Sequence, residues 1–230
     1  MKVSPPTSEM IRAAFAPHGL FLRGIVNFSS NEAAPVLASG NRAASIALVG
    51  NVGSSTWPAF RAWQDGRADR GGADPLDGWS KAVIGPVAAA LGATAWFPSD
   101  PPWQPFQQWA MRAEGLRASP LGILIHPHFG LWHGYRGALG FAHPLDGVEP
   151  PAADHPCDRC PDKPCLTRCP VSGVAPSGFD VAACSGHLRT QAGHVSCMAS
   201  GCLARAACPV GAEHRYVEDQ RRFHMAALGL

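Results

Sequence analysis

The chain has 230 residues, 46% of them hydrophobic and 16% charged, with a formal net charge of +2. That is chain enough for one full domain and a smaller one, and too apolar to be disordered. The weak charge excludes the basic footprint by which proteins grip nucleic acid or anionic lipid, so neither is an expected partner.

The N-terminus, MKVSPPTSEMIRAAFAPHG, places prolines and Glu9 where a secretory leader needs an unbroken apolar run. No stretch reaches the roughly 18–20 apolar residues of a membrane span. A cytoplasmic protein is expected.

In chain order, Glu9 to Ala16 reads as a helix and Leu20 to Phe28 as a strand. The continuous apolar run Ser45 to Val49 predicts a buried strand. GNVGSST then leads into a helix from about Trp57 to Gln64. Asp74-Pro75 is a helix start, an N-cap carboxylate before a proline at the first helical position, and Gly92 ends that helix near Leu91. Thr94 to Phe97 predicts a strand, Phe106 to Ala113 a helix, and Leu121 to His126 and Trp132 to Phe141 two further strands. With no regular βαβ repeat, residues 1–142 predict an α+β domain with a mostly antiparallel sheet and flanking helices. HPLDGVEPPAADHP, residues 143–156, reads as a linker. Residues 157–230 then form a small cysteine-rich domain. It closes with a helix, Glu213 to Leu228, whose Tyr216, Phe223 and Leu228 are expected to pack onto the first domain.

All eight cysteines fall between 157 and 208. The first group reads Cys157-x2-Cys160-x4-Cys165-x3-Cys169-Pro170, and the second Cys184, then Cys197-x4-Cys202-x5-Cys208-Pro209. Bacterial two-cluster ferredoxins use C-x2-C-x2-C-x3-C-P, in which the fourth cysteine of each run crosses to the other cube. Applied here, that rule assigns Cys157, Cys160, Cys165 and Cys208 to one [4Fe–4S] cluster. It assigns Cys169, Cys184, Cys197 and Cys202 to the other. The gaps are longer than the usual ones. Two Cys₄ zinc sites and a disulfide scaffold are the alternatives, but zinc knuckles lack the fourth cysteine followed by proline, and a chain of this size needs no disulfide staples.

The segment GILIHPHFGLWHGYRGALG, Gly122 to Gly140, resembles CblC-type cobalamin-processing proteins through Ile125, His126, Pro127, Phe129, Gly130, Trp132, Arg136 and Gly137. LVGNVGSSTWPAF, Leu48 to Phe60, and DPLDGW, Asp74 to Trp79, agree in order and spacing. The likeness covers residues 9–142 and implies a nitroreductase-like fold with a corrinoid over the sheet. The cysteine-rich part resembles the ferredoxin segment of epoxyqueuosine reductase and reductive dehalogenases, which place two [4Fe–4S] clusters beside a corrinoid. CblC-type proteins carry no such segment. Together the resemblances imply an oxidoreductase passing electrons from two clusters to a bound cobalamin. Its donor would be a cytosolic ferredoxin, a flavodoxin or the reductase of one. A plain ferredoxin-type carrier and an FMN-dependent reductase on the same fold are the competing readings.

Candidate cofactor-binding residues follow. The loop bearing Gly50, Asn51 and Ser54 could cradle a phosphate or the corrinoid tail with its amides, or be an ordinary turn. His126 and His133 could act as ligands or proton donors, or bond to backbone at a strand end. Phe129 and Trp132 come from the resemblance. Arg136 could hold an anionic group with its planar fork, or sit on a strand edge. WFPSDPPWQPFQQW, Trp96 to Trp109, could wall a flat cofactor or simply be core.

Overall fold

The computed structural model describes residues 5–147 and 154–228. Residues 148–153 of the expected linker therefore lie outside the described residues. The elements run α1 (Ser8–Phe15), β1 (Phe21–Asn27), β2 (Ser45–Val52), α2 (Trp57–Asp65), α3 (Pro75–Ala90), β3 (Thr94–Trp96) and α4 (Phe106–Glu114). They continue with β4 (Arg117–Ala118), β5 (Leu124–Ile125), β6 (His133–Phe141), α5 (Pro164–Thr167), β7 (Val174–Ala175), β8 (Gly178–Phe179) and α6 (Val181–Leu188). The chain ends with α7 (Gln191–Gly193), a π-helical turn His194–Met198, α8 (Leu203–Ala206), a 3₁₀ turn Ala212–His214 and α9 (Glu218–Ala226).

Two compact units result, one from residues 5–115 with 134–147 and the other from 116–133 with 154–228. Residues 116–133, assigned from sequence to the first domain, pack instead with the cysteines. A composition boundary marks where cysteines begin, and it cannot register that an earlier strand pair joins their core.

The first unit is an α+β layer around a four-stranded sheet ordered β1-β2-β6-β3, with β1 antiparallel to β2 and β3 antiparallel to β6. Ile46, Ala47, Leu48 and Val49 of β2 are fully buried. That explains why this strand reads as an unbroken apolar run: it lies inside the sheet and has no wet face. α1 begins at Thr7, whose hydroxyl accepts the Met10 amide, and buries Ile11 and Phe15 on one stripe. α3 begins with Pro75 at its first position as read, but the Asp74 carboxylate makes no capping hydrogen bond. Trp79, Ile84 and Ala88 form its buried face.

The second unit is built from short pieces around a core of Leu121, Ile125, Leu131, Val174, Ala204 and Cys208. Cys157, Cys165, Cys169 and Cys202 pack against that core. The expected helix Glu213 to Leu228 is broken between the 3₁₀ turn and α9. Arg215 adopts extended backbone and carries Tyr216 into the interior, where its ring meets Trp132 edge-on at 5.4 Å. α9 packs on the π-helical turn of its own unit, with the Arg222 Nε donating to the Ala199 carbonyl at 3.0 Å. The expected strand Leu121 to His126 is reduced to two residues, because His126 enters a tight loop closed by reciprocal hydrogen bonds with Gly130.

Candidate functional site

The cysteine loops carry local features that aim their side chains. Cys197 lies in the π-helical turn, an insertion of the kind that re-aims side chains at functional sites. Gly193, just before it, has no room for a side chain: a Cβ would lie 2.0 Å from the His187 carbonyl oxygen. Among the described residues only three non-glycines have positive φ, and Lys163 and Ser172 are two of them. Both flank cysteines, and left-handed backbone at such residues is sparsely populated and concentrates at functional sites.

The sulfurs act on one another in two sets of four. Burial first, then Cys208, Cys165, Cys160 and Asp158, push the Cys157 thiol up to about 11. Cys165 is raised by burial and by Cys160, and Cys208 by burial and by Cys165 and Cys160. In the other set, burial raises Cys184, with added repulsion from Cys202, Cys169 and Cys197. Burial likewise raises Cys202, with Cys197 and Cys169 adding to it and the amides of Arg205 and Ala204 opposing. Amides donate to sulfur in both loops: Gly173 to Cys169 Sγ at 3.2 Å, and Arg205 to Cys202 Sγ at 3.5 Å. Among the described residues, no three His, Cys, Asp or Glu side chains converge closely enough to hold a single metal ion.

Cys157, Cys160, Cys165 and Cys208 line one cavity of about 460 Å³, closed by apolar walls such as Ile125, Leu166 and Val210. Lys163, Asp158 and His155 complete it. A second cavity, of about 470 Å³, shares Cys160 with the first and is lined largely by prolines. His155 was not legible as a site residue in the sequence. It stands two residues before Cys157, is 9% exposed, and its Nε2 is buried with no hydrogen-bond partner. The signal available was its place in His-Pro-Cys at the opening of the first cysteine run.

The loop after β5 is organised by His126. Its Nδ1 accepts the amides of His128 at 3.0 Å and Phe129 at 3.2 Å, and its ring stacks on Phe129 at 4.1 Å. An acceptor Nδ1 fixes the neutral tautomer with the proton on Nε2. His133 is buried, and its Nε2 hydrogen-bonds to the Leu124 carbonyl at 3.0 Å. One ring nitrogen of each histidine is thus bonded to backbone. Trp132 is 1% exposed, lies against Tyr216 and carries the Arg205 guanidinium 4.5 Å above its ring.

In the first unit, Gly50 is buried inside β2, where a Cβ would strike the Gly134 carbonyl oxygen at 2.0 Å. Its glycine serves close strand packing. The Asn51 side chain donates to the Gly53 carbonyl at 2.9 Å. The amides of Val52, Ser55 and Trp57 bond within the turn itself, the last to the Ser54 carbonyl. Three amides of this turn are thus engaged within it. Arg136 faces Asp77, Nη1 to carboxylate 3.7 Å. Phe106 and Trp109 are core, whereas Trp103 is 75% exposed, so the aromatic stretch is not one continuous wall. Sequence reading missed a buried network here. Arg23 meets Glu114 at 2.7 Å, the Tyr135 hydroxyl donates to Glu114 at 3.0 Å, and Arg23 also donates to the Asn51 carbonyl. Burial raises the Glu114 carboxyl, against the opposing pull of Arg23 and Tyr135.

The architecture is that of an α+β protein whose fold resembles a CblC protein's. It matches the crystal structure of a B12-trafficking CblC protein of C. elegans, a homologue of human MMACHC, with a TM-score of 0.55 and 13% identity, over 94% of this chain and 89% of that one. The match extends past residues 9–142 into the cysteine-bearing part, so the likeness is wider than the sequence motifs suggest. No family model and no curated protein matches the sequence. No helix among the described residues is long and apolar enough to cross a membrane.

Proposed function

We propose that this chain is an iron–sulfur oxidoreductase in which two [4Fe–4S] clusters pass electrons to a corrinoid bound by the CblC-type fold. The observation that carries the reading is the gathering of eight thiols into two mutually acting sets, one of which lines a cavity of about 460 Å³.

The donor set suits the group. A cube takes each thiolate at a different iron corner, whereas a single tetrahedral ion draws four sulfurs to one centre about 2.3 Å away. Sulfurs that act on one another without converging on a point match the first demand. When bound, each cluster stores and releases a single electron, with its potential set by burial and by hydrogen bonds to sulfur. The chain's part is to exclude water through Ile125, Leu166, Leu131 and Val174, and to present the Gly173 and Arg205 amides to Cys169 and Cys202.

The corrinoid part rests on the fold shared with a B12-trafficking protein and on the Ile125-to-Gly137 motif. A plain electron carrier is the second reading, favoured by the internal bonding of the Asn51–Ser54 turn and by the pairing of Arg136 with Asp77.

Anaerobic reconstitution followed by titration with hydroxocobalamin tests both parts. Two cubes' worth of iron and sulfide, a broad absorption near 400 nm bleached by dithionite, and faster reduction of the added cobalamin than in buffer are expected. Stoichiometric zinc without that absorption would sink the cluster reading. Clusters without any change in the cobalamin spectrum leave the carrier reading in place, and a released yellow fluorescent compound points to FMN.

A further inference from the structure

Bacterial two-cluster ferredoxins place two residues between the second and third cysteines of a run, whereas this chain places four, Pro161 to Pro164, between Cys160 and Cys165. The longer gap builds a cavity. Lys163 takes a left-handed backbone, φ 38°, and Pro161, Asp162 and Pro164 wall the second cavity, of about 470 Å³. Cys157, Cys165 and Cys208 line the first cavity only, and Cys160 alone of the four lines both. Pro127, Pro156 and Pro209 complete much of the second wall. Prolines have no N–H, so these positions cannot donate backbone hydrogen bonds to sulfur. Two other corners are held more closely: Cys208 is 9% exposed and accepts from the Val210 amide, and Cys165 accepts from the Leu166 amide. Around Cys160, by contrast, Arg159, Pro161, Asp162 and Lys163 are all exposed.

We propose that Cys160 is the releasable ligand of the first cluster: the second cavity is a port by which water and a small one-electron oxidant reach the iron that Cys160 holds, and oxidation frees that iron alone. This rests on the iron–sulfur reading above. The doubly charged cube gives one electron to the oxidant, the bond from the Cys160 sulfur to its iron breaks, and a ferrous ion leaves into the cavity. A singly charged three-iron core stays on Cys157, Cys165 and Cys208, and the freed Cys160 thiolate takes a proton from water. Water is needed twice at that corner, to hydrate the departing ion and to protonate the thiolate, and cysteine reactivity follows exposure. Asp154 and Asp162 put two carboxylates on the cavity wall against the one guanidinium of Arg159, which favours the exit of a cation. A three-iron core differs from the cube in charge and potential, so the exchange decides whether the first cluster carries electrons at the cube's potential.

The test treats the reconstituted full chain anaerobically with ferricyanide and a ferrous chelator. It follows released iron, electron paramagnetic resonance, and mass spectrometry of thiols trapped with iodoacetamide. Wild type should lose one iron per chain before any further loss, show a three-iron signal, and be alkylated first at Cys160. Asp162→Trp, which puts bulk at an exposed position on the port wall, should slow all three changes severalfold. Alkylation first at any other cysteine, or loss of all the iron of a cube together, overturns the role of Cys160 while leaving the cluster reading intact. These wild-type measurements decide that role whether or not Asp162→Trp takes up clusters. Release from a fully loaded Asp162→Trp at the wild-type rate overturns the port. A wild-type protein that takes up no iron overturns both this proposal and the cluster reading.

Discussion

Gly130 and Gly211 meet back to back, joining the loop organised by His126 to the Cys208-Pro209 turn. Both have positive φ, 56° and 65°. A Cβ on Gly130 would lie 1.8 Å from the Val210 carbonyl oxygen, and one on Gly211 would lie 2.3 Å from the Phe129 carbonyl carbon. Left-handed backbone alone costs a substituted residue about 1–2 kcal/mol, and the backbone clash adds to it. Gly130→Ala and Gly211→Ala should each destabilise the protein by more than about 2 kcal/mol in urea unfolding. Gly40→Ala is the control, since its φ is also positive but nothing lies within 4 Å; it should cost about 1 kcal/mol.

Arg205 ties three parts of the second unit together. Its guanidinium lies over Trp132 at 4.5 Å and Tyr216 at 4.9 Å, and Nη2 donates to the Leu131 carbonyl. Arg205→Ala should lower stability by about 1–3 kcal/mol by equilibrium denaturation. Arg205→Lys should recover less than half, because an ammonium cannot stack on both rings.

The Arg23–Glu114 pair is buried, with side chains 3% and 7% exposed. Glu114→Ala leaves the Arg23 charge in the interior and should cost about 3–5 kcal/mol. The double change Arg23→Met with Glu114→Leu should cost much less, because no charge is left unpaired. A double-mutant cycle measures the difference.

Iron analysis of single Cys→Ser variants separates the two sets. Cys208→Ser and Cys169→Ser should each reduce bound iron to about half and abolish a different one of the two cluster signals in electron paramagnetic resonance. If both variants remove the same signal, the division into two sets is wrong.

Apo-protein stability should depend on pH in the alkaline range. The Cys157 thiol is pushed from 9.0 to about 11 on folding, chiefly by burial. Its proton is thus held more tightly in the folded state, so this contribution is complete below about pH 9 and disappears as pH rises towards 11. Thermal melts of apo protein across that window should fall, and Cys157→Ser should flatten the fall.

The order of elements was legible in the sequence because it rests on local physics. The apolar run Ser45 to Val49 belongs to a strand buried throughout, and Pro75 and Gly92 bracket α3 through backbone limits that act within one turn. The cysteine spacing likewise named its candidates from the chain alone. What pairs with what was not legible, because it depends on contacts between distant segments. Gly50 in a GNVGSS run looks like a loop glycine until Gly134 is placed against it. Asp74 looks like a side-chain cap until its carboxylate is seen to make no capping hydrogen bond. In sequence His126 and His133 show nothing of the backbone bonds that His126 Nδ1 and His133 Nε2 make. Residues 116–133 precede the first cysteine by many positions, yet they join the cysteine core because Leu121, Ile125 and Leu131 have apolar faces to bury there. Sequence determined the elements and the thiols. Only the tertiary structure decided that the thiols share a core with Ile125 and Leu131 on either side of the His126 loop, and that four of them line one cavity.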